Sequence, residues 1–63
     1  MMSYTAKVQI YRQPRTGQPP DETIEFAFVS AAREYARNQV QDGKAKVAVV
    51  ANPAGEELAT FPQ

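Results

Sequence analysis

Hydrophobic periodicity changes twice along these 63 residues, from two to about 3.6 and back towards two, and this restricts the chain to a mixed fold. From Tyr4 to Tyr11 the alternation is strict. Tyr4, Ala6, Val8 and Ile10 fall on one side and Thr5, Lys7, Gln9 and Tyr11 on the other, which predicts a half-buried strand over about residues 4–11. Thr23-Ile24-Glu25-Phe26-Ala27-Phe28 alternates again, predicting a second strand over about 23–28 with Ile24, Phe26 and Phe28 inward. After Phe28 the apolar positions become Val29, Ala32, Ala36 and Val40, with Tyr35 at the margin, a single helical stripe. Ser30 is placed to act as the N-cap and Asp42-Gly43 supplies a left-handed stop, so a helix is expected over about 30–42.

The last third predicts a hairpin with strands over about 45–51 and 56–61. Between them, Asn52-Pro53-Ala54-Gly55 has asparagine first, proline second and glycine fourth, the pattern of a type I turn followed by a left-handed residue. The segment between the first two strands, residues 12–22, holds Pro14, Pro19, Pro20 and Gly17. Proline removes donors and fixes φ, so neither ladder nor helix continues there, and a flexible proline-rich loop is expected.

Element order then constrains topology. A helix that returns the chain along the sheet makes the third strand antiparallel to the first. Placing those two side by side makes every pair antiparallel in the order 2-1-3-4, with the helix on one face. The expected class is therefore α+β, a ββαββ chain with a four-stranded antiparallel sheet, forming one domain over residues 1–63. Extending the alternation through the last two strands gives an open face carrying Lys7, Gln9, Tyr11, Glu25, Ala27, Lys46, Ala48, Val50, Ala59 and Phe61.

Composition narrows the chemistry. Without histidine or cysteine there is no disulfide framework or thiolate nucleophile, and the commonest metal ligand and general base are missing. Catalysis would have to come from carboxylates, lysines, tyrosines and hydroxyls. Glu56-Glu57 are adjacent beside a turn, Asp21-Glu22 border the loop, Ser30 has a cap to explain it, and Ser3 lies at a terminus. Gly17, Gly43 and Gly55 are isolated, so no phosphate-binding loop exists. The sequence thus predicts no catalytic, cofactor or metal residue and no small-molecule substrate. No apolar run approaches the length of a membrane span and no signal pattern is present, so a cytoplasmic protein is expected.

Interaction is what remains. The formal charge of zero is distributed in blocks: +3 over residues 1–20, −3 over 21–32, +2 over 33–46 and −2 over 47–63. In the third block Arg33 and Arg37 lie one helical turn apart, with Lys44 and Lys46 at the following corner, a basic ridge suited to phosphates. The competing reading makes the arginines solvent-facing, with Glu34 a local partner for Arg37. Zero net charge disfavours nucleic acid. Tyr11, Arg12 and Arg15 at the mouth of the loop combine the residue types enriched in protein hot spots. A domain of this size buries only about 60% of the surface of its unfolded chain, so association that completes the core is expected. A homodimer through the open face would be anchored by Val50 and Phe61.

The helix phrase Ser30-Ala31-Ala32-Arg33-Glu34-Tyr35-Ala36-Arg37, with Val47-Ala48-Val49-Val50 and Asn52-Pro53-Ala54-Gly55-Glu56-Glu57 after it, resembles a set of small bacterial and phage strand-strand-helix-strand-strand domains of unknown function. Those domains carry an alanine-rich S-x-x-E-A-x-x-Y-A helix and a V-x-V-x-(N/D)-x-x-G hairpin; here Arg33 and Glu34 stand where they have glutamate and alanine. In element order the chain is also similar to small phage anti-CRISPR proteins. The expected function is a non-enzymatic protein-interaction domain, self-associating. The alternative is a phage-derived accessory protein that binds nucleic acid or inhibits a nucleic-acid-processing host complex.

Overall fold

The computed structural model describes residues 4–62; Ser3 lies outside them. Five elements follow in the order β1 (Ala6–Tyr11), β2 (Glu22–Phe26), α1 (Val29–Gln41), β3 (Val47–Ala51) and β4 (Glu57–Phe61). The sheet order is β2-β1-β3-β4 with every pair antiparallel, and α1 packs on one face, so the topology reached from element order holds.

Register decides which residues meet the helix. Val8 stands opposite Ile24 on one side and Val50 on the other, and Ile10 stands opposite Ala48. Val50 in turn faces Ala59, and Ala48 faces Phe61. All of these but Ile24 form the core, with Ala6 and Phe26, against Ala32 and Ala36, and Val29, Tyr35 and Val40 lie at its edge. Phe26 and Tyr35 close one side of it, their ring centroids 5.3 Å apart.

The expected inward or outward assignment is therefore correct for β1 and inverted for β3 and β4. Ala48, Val50, Ala59 and Phe61 lie beneath the helix; the opposite, outer face carries Val47, Val49 and Ala51 in β3 and Thr60 in β4. The physical reason is the sequence of β3. Val47-Ala48-Val49-Val50-Ala51 is continuously apolar because the strand is central and buried on both sides, so it has no alternation from which to read a phase. In β4 the ladder shifts between Val50 and Ala51: Val50 pairs with Ala59 but Ala51 with Glu57, leaving Leu58 as an extra residue.

The turn signal is realised and the N-cap signal is corrected. Gly55 has φ +94° and its N–H donates to Asn52 O at 2.9 Å, closing the predicted turn. The Asn52 side chain reinforces it, accepting from Glu56 N at 2.9 Å. The proline-rich loop carries hydrogen bonds of its own. Asp21 N–H donates to Ile10 O at 2.8 Å and Arg12 N–H to Asp21 Oδ2 at 2.7 Å at its neck, and Gln18 Nε2 donates to Pro14 O at 3.0 Å within it.

The helix starts earlier than expected. Phe28, not Ser30, occupies the N-cap with extended backbone (φ −129°, ψ 139°), no side chain caps the helix, and its first turn holds no acid. Phe28 consequently leaves β2 and is 70% exposed instead of inward. That backbone suits a capping carboxylate, so Phe28→Asp should stabilise the fold by about 0.5–1 kcal/mol. Chemical denaturation should show a higher midpoint at unchanged slope; a lower midpoint would mean that the Phe28 ring contributes packing the fold needs.

Candidate protein-interaction groove

α1 rests mainly on β3 and β1 and reaches the edge strands less, which leaves a hollow along its flank on the β4 side, beside Phe61. Ser30, Arg33, Glu34, Arg37 and Gln41, spaced by three and four residues, line up along the flank of α1 that faces this gap. Two adjoining hollows result. One, of about 400 Å³, is bounded by Ser30, Arg33, Glu34, Arg37 and Phe61. The other, of about 250 Å³, is bounded by Arg37, Val40, Gln41, Phe61 and Pro62. Arg37 and Phe61 belong to both, so together they form one groove with a polar helical wall. Its far side is Phe61, on the edge strand β4. Leu58 on that strand is 46% exposed.

The charge blocks resolve unevenly in space. Arg12 pairs with Glu22, joining the first block to the second. Arg15 donates to Glu57 Oε2 at 2.9 Å, joining the first to the fourth. Lys7 and Glu25 are cross-strand neighbours. Among the described residues, Arg33 and Arg37 enter no ion pair, and the local partnership expected between Glu34 and Arg37 does not form. The third block therefore keeps its excess of positive charge, part of which Arg33 and Arg37, beside Glu34, place in the groove.

The candidate acids are all engaged elsewhere. Asp21 receives the Arg12 N–H, Glu22 the Arg12 guanidinium, Glu56 the Asn52 amide at 3.1 Å, and Glu57 the Arg15 guanidinium. No group of three or more acids placed to hold a metal occurs among the described residues. No helix there is long and apolar enough to cross a membrane.

The residues expected to bind protein are distributed differently. Tyr11 and Arg15 do come together, with the guanidinium carbon 5.1 Å from the ring centroid. From there Arg15 reaches Glu57, so it bridges β1 and β4 across the outer face of β3. The hydrogen bond to Glu57, foremost, raises the pKa of Arg15 above its ordinary value. Tyr11, Val49 and Ala51 are buried although they point away from the helix. The face expected to be open is thus occupied at its centre by the chain itself. Arg12 is committed to Glu22 and Asp21. Val50 is fully buried and Phe61 is 9% exposed, so neither anchors an outer-face dimer.

Of the four basic residues proposed for nucleic acid, Arg33 and Arg37 line the groove while Lys44 and Lys46 do not. Lys44 lies in the turn after α1, its N–H donating to Gln39 O at 2.9 Å, and both lysines are exposed. The groove itself escaped the sequence reading. Its signal was the polar stripe Ser30, Arg33, Glu34, Arg37 and Gln41, whose significance depends on where β4 lies. No family model, curated protein or solved structure matches this chain.

Proposed function

We propose that the chain is a non-enzymatic protein-interaction domain whose working surface is the β4 edge with the groove beside it. One observation carries the reading: Arg33 and Arg37, in no ion pair among the described residues, line a hollow whose other side is Phe61 of the edge strand β4. An edge strand offers backbone donors and acceptors to an added strand, and an adjacent groove supplies side-chain selectivity. The engagement of Asp21, Glu22, Glu56 and Glu57 in structural contacts supports a binding role over catalysis. The partner in this reading is another polypeptide. Self-association through the sheet face loses its support with Val50 and Phe61 buried.

A peptide-display selection against the folded chain tests the proposal. Enriched peptides should shift the amide resonances of residues 57–61 and of the helix flank. Failure to enrich any binder, or shifts confined to β2 and the 12–21 loop, would overturn it. Sedimentation of the free chain should give a monomer; a dimer whose interface protects residues 57–61 from exchange would show that the edge serves a second copy instead.

A further inference from the structure

Resting on that reading, we infer that the groove takes an extended acidic segment of a partner protein, added to the sheet as a fifth strand with alternate carboxylates on Arg33 and Arg37. Three observations converge. The two guanidinium groups stand on the groove wall without an ion-pair partner among the described residues. Glu34 is the single acid on that wall beside the two bases. The start of α1, with no side-chain cap and no acid in its first turn, leaves partial positive charge at the end of the groove near Ser30.

Geometry selects the form of the ligand. Four residues of helix advance about 6 Å. Side chains on one face of a strand recur every 6.6–6.8 Å or so. Acids at every second position of a strand lying beside β4 therefore match the spacing of Arg33 and Arg37, and the intervening residues turn to the other face. Phe61, at the floor, offers apolar contact to the aliphatic parts of the inward side chains. Guanidinium groups suit this task because their planar fork engages a carboxylate through two parallel hydrogen bonds.

The test uses the full chain and three fluorescein-labelled octapeptides of equal strand propensity, in which valine alternates with glutamate, glutamine or lysine. The glutamate peptide should bind about tenfold or more tighter than the glutamine peptide, and the lysine peptide weakest. Arg33→Gln with Arg37→Gln should erase the preference; both side chains are exposed, and a retained far-ultraviolet spectrum separates lost binding from lost fold. Lys44→Gln with Lys46→Gln should leave it unchanged. Equal affinity for the glutamate and glutamine peptides, with shifts still at β4, would overturn the acidic specificity and leave the interaction reading standing. No binding of any peptide, together with an empty display selection, would remove both. Labelled duplex or single-stranded DNA that binds in a manner dependent on Lys44 and Lys46, and outcompetes the glutamate peptide, would overturn the inference in favour of nucleic acid.

Discussion

A Val50→Glu chain is expected to show no cooperative unfolding transition, because the substitution places a carboxylate at the centre of the core. Val50 is fully buried, flanked by Val8 on β1 and Ala59 on β4, and lies on the face covered by Ala32 and Ala36. No cationic side chain belongs to that cluster. An uncompensated buried charge costs several kcal/mol even after relaxation. A single core of this size rarely supplies more than about 3–5 kcal/mol. The substitution therefore consumes the whole margin. Circular dichroism should show loss of native secondary structure, and the amide spectrum should collapse to random-coil dispersion. Had Val50 been an exposed anchor of a dimer, the same variant would fold and only its sedimentation would change. A folded, monomeric Val50→Glu protein would contradict the register between β1 and β3.

The second large effect is expected at Ile10, one of the largest side chains fully enclosed by the fold at 1% exposure. Ile10→Ala should destabilise by about 2–5 kcal/mol through lost burial and the void left behind. For a domain of this length each kcal/mol moves the thermal midpoint by roughly 4–8 °C. A fall of about 10 °C or more is therefore expected, with part of the population unfolded at room temperature. Ile24 makes an internal control. It lies on the same face but on the edge strand β2 and is only partly buried, so Ile24→Ala should cost about 1–2 kcal/mol. Equal losses at the two positions would show that β2 covers the core as fully as the central strands do.

How much of this was legible follows from which interactions are local. The alternation in residues 4–11, the stripe of Val29, Ala32, Ala36 and Val40, and the Asn52 to Gly55 turn each state their conformation within a few residues. The stripe and the turn are realised, and the strand forms over Ala6–Tyr11, without Tyr4 and Thr5. The strand order followed from chain connectivity and the handling of a crossover, again without tertiary detail. Ser30 misled because a serine before alanines is a strong capping signal, yet the extended backbone ends two residues earlier, at Phe28. The candidate site was legible only in part. Arg33 and Arg37 were singled out by charge and spacing, but they were grouped with Lys44 and Lys46, which sit past the end of α1 and do not line the groove.

What the amino-acid sequence determined by itself is the kind and order of the elements, since period, capping and turn chemistry act over four or five residues. Tertiary structure alone decided which side of β3 faces the helix, where the charge blocks cancel and where they do not. A strand that is apolar throughout has no intrinsic phase, so Val50 points inward only because Val8 lies opposite it. Charges far apart in the chain neutralise one another only when the sheet brings them together. Arg15 meets Glu57 across β3, whereas α1 holds Arg33 and Arg37 on its flank beside Phe61, where no ion pair forms with them among the described residues.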